Sequence, residues 1–494
     1  MIKRRVMKNK SITKNFIYNT LYNSMTILFP LITIPYISRI LLADGLGKIN
    51  YANNIVTWFL LFASLGIPRY GIREIAKERD ESNNLNKTFS ELFYINLISS
   101  LVCDIAYLMA IILIPYFRDK LLLYIVVGIQ LFLNIFYVDW FYQGVEEYGY
   151  ITKRSFIIKV LSLVAMFTFV KTHDDYVIYA LIQSIALAGN YILNFAYLKR
   201  FVKFVRKKIN LTKHISSIFV LLSTQLAVSI YALLDTTMLG FWCSDSIIGY
   251  YSNAQRLIKI VATLTASLGG VMLPRLVNMH HRNDMVSIKK LSEIALKIIL
   301  FICLPVFTGL IFISKDLVLL LFGEEFLPCV TTLKIFSPFI LFTTVGNLYG
   351  TQLLMVFGQE KKLFKSVLFG SILNFSLNFL LIKVFYHNGA ALASVITECI
   401  VMLIQIQMVK KIINITVNLK FVIQLICMNI IMIVMIVFTQ LCIENYVLEL
   451  LISILIGGVS YITCGILFRN EIIYFFLDHL KKSLTSILVI HKCK

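Results

Sequence analysis

Two cations lie one helical turn apart within a long apolar segment between residues 248 and 273. These cations are Arg256 and Lys259. A charge at the centre of a membrane helix costs at least about 3 kcal/mol, so each of them requires water or an anionic partner. A planar guanidinium can hold two phosphate oxygens at once, whereas an ammonium acts as a point charge. We therefore predict that Arg256 binds a phosphate-bearing ligand and that Lys259 assists it.

Other polar side chains in apolar segments are candidates for the same ligand. The first segment carries a row of such residues at spacings of three and four, namely Asn15, Tyr18, Asn19, Tyr22, Asn23, Thr26, Pro30 and Thr33. A row of this kind on one helix face borders either a water-filled cavity or another polar helix. The predicted substrate contacts are Arg256, Lys259, Lys297, Arg39, Asn19, Asn23 and Asn53.

Four carboxylates also fall inside apolar segments: Asp104, Asp139, Asp235 and Glu398. They either pair with the intramembrane cations or bind a coupling ion. Asp235 and Glu398 are the predicted ion-coupling residues, because each could hold a proton or sodium. The cations in or beside the segments outnumber these acids, which an anionic cargo such as a pyrophosphate would require.

The composition places these residues in a membrane protein. The chain of 494 residues is 59% hydrophobic and 15% charged, with a mean hydropathy of +0.81. Soluble proteins carry about 25% charged residues, and a membrane helix needs about 20 apolar residues. The sequence therefore predicts an all-α integral membrane protein. Its fourteen predicted helices lie near residues 15–42, 50–68, 90–115, 121–142, 151–170, 176–198, 214–240, 248–273, 290–313, 329–356, 364–383, 389–409, 419–442 and 446–468.

Basic residues are distributed unequally on the two sides of these helices. Of 47 lysines and arginines, 35 fall in segments on the side of the N-terminus and 7 on the opposite side. The positive-inside rule then predicts that both termini and the connector 199–213 are cytoplasmic. The net charge of +21 reflects this topology and attraction to anionic lipids, so no nucleic-acid partner is expected.

Two short motifs occur twice, about two hundred residues apart. They are YAN at 51–53 with YSN at 251–253, and SLGIPR at 64–69 with SLGGVMLPR at 267–275. We interpret each copy of the second motif as a helix end, where glycine and proline stop the helix and arginine anchors it in the headgroup region. The repeat predicts two parallel six-helix lobes around a midplane cavity. The predicted domains are lobes at 1–198 and 214–411, the connector 199–213, and two extra helices with a tail at 412–494.

Motifs of catalysis or cofactor binding are missing from the sequence. It holds no phosphate-binding loop, no G-x-S-x-G and no DxD, and its nine cysteines form no C-x-x-C pair. The seven histidines lie in or beside predicted loops, which supports neither a metal site nor a proton relay. The sequence therefore predicts a transporter without catalytic residues, cofactor or metal.

Several motifs resemble the Wzx-type oligosaccharide flippases of bacterial polysaccharide pathways. They are YANNIVTWFLLFASLGIPRYGIREIAK at 51–77, DWFYQGVEEYGYITKRSFIIKVLSL at 139–163, LDTTMLG at 234–240 and GYYSNAQRLIKI at 249–260. The resemblance covers essentially the whole chain. It implies the multidrug/oligosaccharidyl-lipid/polysaccharide exporter superfamily, whose members have fourteen helices in two lobes forming a V and work by gradient-driven alternating access.

The resemblance also implies a cargo and partners. The cargo is an undecaprenyl-pyrophosphate-linked oligosaccharide repeat unit, moved to the outer leaflet of the bacterial cytoplasmic membrane. The implied partners are this lipid-linked oligosaccharide, membrane lipids, a coupling proton or sodium ion, and polysaccharide polymerases or glycosyltransferases. Arg256 resembles in position an arginine of the related peptidoglycan-precursor flippases. Those relatives also use arginines in the first two helices, where this chain offers asparagine and tyrosine, which argues against a peptidoglycan precursor as cargo.

One motif departs from the family pattern, and three other functions were weighed. In LDTTMLG, Thr236 stands where many relatives carry a basic residue, so Asp235 is expected to have a different partner. A multidrug exporter of the same fold would need an acidic cavity for its cationic substrates, which the surplus of cations disfavours. A membrane enzyme of polysaccharide assembly is disfavoured by the short predicted external loops. A scaffold is also compatible with the sequence.

Overall fold

The structure is a computed structural model that describes residues 12–205, 209–475 and 477. The described part of the chain is helical throughout, without strands, as its long apolar segments predict. Its α-helices are α1 (Ile12–Ser64), α2 (Ile67–Glu78), α3 (Ser82–Leu113), α4 (Pro115–Arg118), α5 (Leu121–Phe132), α6 (Asp139–Gly144), α7 (Tyr148–Phe169), α8 (Tyr176–Leu198), α9 (Thr212–Trp242), α10 (Asp245–His281), α11 (Met285–Leu321), α12 (Pro328–Phe336), α13 (Phe339–Gly346), α14 (Glu360–Lys410), α15 (Leu419–Cys442) and α16 (Tyr446–Leu467).

Each of the fourteen predicted segments coincides with a helix or a group of helices in this described part. Two long helices contain two segments each, and each breaks at a residue with positive φ: α1 at Leu42 (φ 60°) and α14 at Tyr386 (φ 51°). Eight described stretches are long and apolar enough to cross a membrane. The protein is therefore a multi-pass membrane protein with an all-α fold, as predicted.

One predicted helix, 121–142, is broken in the structure. It consists of α5, a short 3₁₀ turn and α6. The break lies at Asn134, which is buried and donates to Ser100 Oγ at 3.0 Å while accepting from Ser64 Oγ at 3.2 Å. A buried amide needs these partners, and its own backbone carbonyl accepts a further bond from Asn96 at 3.0 Å. The prediction of a continuous helix was wrong because these partners are distant in sequence.

A second predicted helix, 329–356, is divided into α12, α13 and a π-helical stretch Asn347–Leu354. Pro338 separates the first two, since proline lacks a backbone N–H. The π-helical stretch contains Gly350, which packs against Gln405 of α14. A Cβ atom at residue 350 would lie 2.6 Å from Gln405 Oε1, so a larger residue there would require the Gln405 side chain to move.

The repeated SLG motif has different structures in its two copies. In the first copy α1 ends at Ser64, Leu65 adopts a φ of 49°, and α2 starts with Pro68 in its first turn. The predicted helix end is confirmed there. In the second copy the prediction was wrong, because α10 continues through Pro274 to His281. A proline removes one helical hydrogen bond, and a helix can continue beyond it with a bend.

The chain divides into two compact units, Met1–Gly249 and Tyr250–Lys494. The core of the first unit contains Phe89 of α3 stacked on Trp140 of α6, with ring centroids 5.6 Å apart. The core of the second unit lies where α15 and α16 pack against α11. The first unit includes α9, which packs against α1, whereas the predicted second lobe begins at residue 214. The two compact units therefore differ in extent from the predicted lobes, which stay a prediction.

Candidate functional site

Arg256 and Lys259 lie in α10, at the positions that the sequence predicts. The ammonium of Lys259 donates to Gln255 Oε1 at 2.9 Å, and Gln255 Nε2 donates to the hydroxyl of Tyr251 at 3.1 Å. Tyr251 is fully buried, Arg256 is half-buried and Lys259 is exposed. The buried Tyr251 therefore positions the side chain of Gln255, and Gln255 in turn binds the ammonium of Lys259. Sequence reasoning missed Gln255, although its spacing of four from both neighbours was a visible signal.

Lys297 of α11 is ion-paired in the structure. Its ammonium lies 2.5 Å from Glu471 Oε2 and 5.7 Å from the ring centroid of Phe421. An intramembrane cation can be balanced by a carboxylate in this way, which was the alternative to ligand binding. A role of Lys297 in substrate binding stays a prediction.

The predicted substrate-binding residues of the first unit differ in how far their side chains are buried. Asn53 is half-buried, and its side-chain oxygen accepts a hydrogen bond from Gln130 Nε2 at 3.2 Å. Gln130 Nε2 also donates to Ser184 Oγ at 3.2 Å. Arg39 is exposed on α1. Asn19 and Asn23 belong to α1, but their side chains lie outside the described residues. Asn53 of α1 therefore belongs to a hydrogen-bond network with Gln130 of α5 and Ser184 of α8. Its contact with a ligand stays a prediction.

The two predicted coupling carboxylates have different surroundings. Asp235 of α9 is buried, with 2% of its surface exposed. Glu398 of α14 is half-buried beside Gly346, where a Cβ atom would lie 3.8 Å from Glu398 Oε1. They lie in separate compact units. Ion binding by either residue stays a prediction.

Asp139 forms a buried ion pair with Arg154. Arg154 Nη1 lies 3.5 Å from Asp139 Oδ1, and their side chains are only 5% and 13% exposed. Asn194 donates to the same carboxylate. Arg154 lies in the second turn of α7, which begins at Tyr148, within the predicted helix 151–170. Asp139 is therefore neutralised within the first unit.

Helix α1, just after its break at Leu42, makes a close backbone contact with the start of α10. We call this contact the glycine seam, and its residues are Ala43, Gly47, Asp245 and Gly249. A Cβ atom at Gly47 would lie 1.7 Å from the carbonyl oxygen of Asp245. A Cβ atom at Gly249 would lie 2.1 Å from the carbonyl oxygen of Ala43. The contact is reciprocal, since each glycine approaches a backbone carbonyl of the other helix. Glycine is required at both positions because the backbones touch.

Polar bonds surround the glycine seam. Lys120 Nζ lies 2.5 Å from Asp245 Oδ2, and the hydroxyl of Tyr116 donates to Asp245 Oδ1 at 3.0 Å. These bonds connect α4 and the residue just before α5 to Asp245, the first residue of α10.

Helices α1 and α9 are joined by a second set of bonds. Trp58 Nε1 donates to Thr237 Oγ1 at 2.9 Å, and Thr237 donates to Asn54 Oδ1 at 2.7 Å. Asn54 Nδ2 donates to the carbonyl of Leu233 at 3.0 Å. All of these bonds are between neutral groups. Such bonds each contribute about 1 kcal/mol, so this interface is specific yet separable.

The fold and these features define a class of protein: a multi-pass helical membrane protein with cations and carboxylates inside its spans. A family model described as polysaccharide biosynthesis protein matches residues 12–280, which is more than half of the chain. The chain belongs to this polysaccharide biosynthesis family, and the resemblance found in the sequence is confirmed.

Relatives with known names agree with the family. A protein named "Putative O-antigen transporter" from Escherichia coli (strain K12) is 23% identical over 412 residues, which cover 81% of this chain and 97% of that protein. "Capsular polysaccharide biosynthesis protein CapF" from Staphylococcus aureus is 26% identical over 408 residues, or 79% and 97% of the two chains. The chain thus spans nearly the full length of both relatives.

Solved structures share the fold. "Lipid II flippase MurJ, inward closed conformation" superimposes with a TM-score of 0.76 at 18% identity, covering 92% of this chain and 100% of that one. A multidrug resistance MATE family transporter of the MOP superfamily, in an inward-facing conformation, gives a TM-score of 0.58 at 15% identity, covering 82% and 96%. At these identities the likeness concerns the fold alone.

Proposed function

We propose that the protein is a flippase that moves undecaprenyl-pyrophosphate-linked oligosaccharide repeat units across the bacterial cytoplasmic membrane for surface polysaccharide synthesis. The observation that carries this proposal is the half-buried Arg256 in α10, with Lys259 one turn away, in a chain of the polysaccharide biosynthesis family. A pyrophosphate with several sugars is far too polar to cross hydrocarbon alone. The lipid tail can remain in the bilayer while cationic residues carry the headgroup.

The names of the relatives support this cargo class. They refer to O-antigen transport and to capsular polysaccharide biosynthesis. A cationic substrate of the kind that multidrug exporters carry would be repelled by Arg256 and Lys259. In this proposal the protein is a transporter and has no enzymatic activity.

The proposed transport cycle is gradient-driven alternating access. The predicted lobes 1–198 and 214–411 move relative to each other around the connector 199–213, and the helices of 412–494 accompany them. Both termini are placed in the cytoplasm by the distribution of basic residues, although the chain ends lie outside the described residues. The glycine seam is suited to repeated opening, since backbone contacts separate without untangling side chains.

A reconstituted flipping assay tests the proposal. Purified protein in proteoliposomes is given a lipid-linked glycan on one leaflet, and a membrane-impermeant glycosidase reports how much reaches the other leaflet. We expect flipping by the wild type that is strongly reduced in Arg256→Ala. The matched control is Lys334→Ala, which removes an exposed lysine of α12. Equal flipping in protein-free vesicles, or preferential transport of a lipophilic cation, would contradict the proposed cargo.

A further inference from the structure

Polar side chains form a row along one face of α7. The row consists of Thr152, Ser155, Lys159 and Ser162, which follow one another at spacings of three and four. Residues at these spacings lie above one another on a helix. The opposite face of α7 carries exposed apolar side chains suited to contact with lipid, namely Phe156, Ile157, Val160, Leu161 and Val164. The polar row therefore points away from lipid and toward the interior of the protein.

The polar row of α7 lies along α1. The two helices pack against each other within the first compact unit. Thr152 Oγ1 donates to the carbonyl oxygen of Tyr18 at 3.0 Å, and the ammonium of Lys159 lies 5.5 Å from the ring centroid of Phe29. Both acceptors belong to α1. Lys159 is therefore held on the side of α7 that faces α1.

Lys159 is also deep along the helix axis. It lies about halfway along α7 (Tyr148–Phe169), about 15 Å from either end at about 1.5 Å per residue. A lysine stem is much shorter than this distance, so the ammonium cannot reach the headgroup region by extending along the helix. The side chain is nevertheless only half-buried. A charge at such a depth is stable where it borders water or an anion.

The surroundings of Lys159 differ from those of the other cation on this face of the first unit. Arg154 is 5% exposed and its charge is balanced by the carboxylate of Asp139. The contact of Lys159 with Phe29 is a cation–π interaction, which fixes the position of the ammonium but leaves the net charge of that pair at +1. Lys159 thus brings a positive charge to the partly exposed centre of α7.

We propose that Lys159 binds a phosphate group of the cargo and that the polar row of α7 borders the path of the cargo headgroup. This inference rests on the proposed function and deepens it, because it adds an anion-binding residue in the first compact unit, whereas Arg256 belongs to the second. A lysine ammonium has three donors and contacts phosphate as a point charge, so it can follow a phosphate that changes orientation.

Binding of inorganic pyrophosphate tests the site without any lipid-linked cargo. The readout is the rise in the thermal unfolding midpoint of the purified protein in nanodiscs as sodium pyrophosphate is added. We expect a saturable rise in the wild type. Lys159→Met should raise the half-saturating concentration about tenfold or more, because a hydrogen bond to a charged group is lost, and Lys159→Arg should change it less. The matched control is Lys153→Met, which removes an exposed lysine of the same helix.

Flipping of a lipid-linked glycan in proteoliposomes connects the site to transport. We expect Lys159→Met to lower the initial rate about tenfold at unchanged membrane abundance. Lys159→Cys should lose the same activity and regain it after reaction with 2-aminoethyl methanethiosulfonate, which places an ammonium on the new thiol. The treated wild type corrects for the native cysteines. Val160→Cys, on the lipid-facing side of α7, should be active before and after treatment.

The two measurements separate this inference from the proposed function. Absence of a pyrophosphate effect in the wild type, or an equal effect in Lys159→Met, would overturn the phosphate site. Wild-type flipping that persists in Lys159→Met would keep the flippase and remove Lys159 from the cargo path. If the wild type flips no lipid-linked glycan, the flippase proposal fails, and the pyrophosphate measurement still decides whether Lys159 binds phosphate.

Discussion

Gly47 lies against the carbonyl oxygen of Asp245 so closely that a Cβ atom at residue 47 would be 1.7 Å from that oxygen. Gly249 makes the same approach to Ala43, with a corresponding distance of 2.1 Å. Real Cβ atoms do not come so close to an oxygen, so any side chain at either glycine must separate the two helices. The glycine seam therefore exists only because both positions lack a side chain.

We expect Gly47→Ala to prevent the seam from closing. Overpacking of this kind costs about 1–3 kcal/mol, and here it acts on one conformation of the transporter. The measurement is glycan export together with membrane abundance. The control is Gly189→Ala in α8, where a Cβ atom meets nothing within 4 Å. Normal export by Gly47→Ala at normal abundance would mean that closure of the seam is not needed for transport.

The ion pair between Lys120 and Asp245 supports the same seam. Its side chains are only 20% and 14% exposed, so water screens the pair incompletely and we expect a coupling energy of about 1–3 kcal/mol that decreases at high salt. A double-mutant cycle with Lys120→Met and Asp245→Asn, followed by thermal unfolding, measures this energy. Tyr116 remains as a hydrogen-bond donor to residue 245 in every variant. Additive effects of the two substitutions would show that the pair contributes nothing.

The Asp139 and Arg154 pair is buried more deeply at its cation, since the Arg154 side chain is 5% exposed. Arg154→Met would strand the carboxylate of Asp139, at a cost of about 3–5 kcal/mol. We expect a large loss of folded protein in the membrane, partly restored by adding Asp139→Asn. The matched control is Arg79→Met, which removes the partner of Glu146 from a pair whose side chains are 37% and 43% exposed and should cost about 1 kcal/mol or less. Similar losses in the two variants would show that burial is not the deciding factor.

The helices of this protein were predictable from the sequence because membrane spans require a long apolar run, and that requirement is local. The breaks within the runs were not, since they depend on distant partners. Asn134 lies at the break of one run and bonds Ser64 and Ser100, and Gly350 of the π-helical stretch packs against Gln405. A short stretch of sequence contains only one of the two residues that make such a contact.

The candidate site was predictable in part for the same reason. Arg256 and Lys259 are conspicuous because charges are rare in apolar segments. The burial of His214, in the first turn of α9, was not predictable, because it comes from packing against Glu91 of α3 and Tyr70 of α2. The partner of Asp139 was not predicted, because the sequence does not show that Arg154 of α7 lies opposite it.

Ion coupling by Asp235 and Glu398 gives a further prediction. If either carboxylate carries the coupling proton or sodium ion, Asp235→Asn or Glu398→Gln should abolish the response of flipping to an imposed gradient while leaving slow exchange of cargo across the membrane. The measurement is initial flipping rate in proteoliposomes with and without a gradient of each ion. Gradient-driven flipping that is unchanged in both variants would exclude the two residues as coupling sites.

The final prediction concerns Arg256 and the pyrophosphate of the cargo. Arg256→Lys keeps the charge but loses the planar fork that can hold two phosphate oxygens, so flipping should fall partially, and Arg256→Ala should lower it further. Gln255→Leu removes the acceptor that holds the Lys259 ammonium, so it should reproduce the smaller effect of Lys259→Ala. An arginine that serves only the fold would give another pattern. Its loss would reduce the amount of protein in the membrane, and export per molecule would stay constant in all four variants. Glycan export and membrane abundance must therefore be measured on the same cells, because a fall in export that follows abundance alone would remove the binding role.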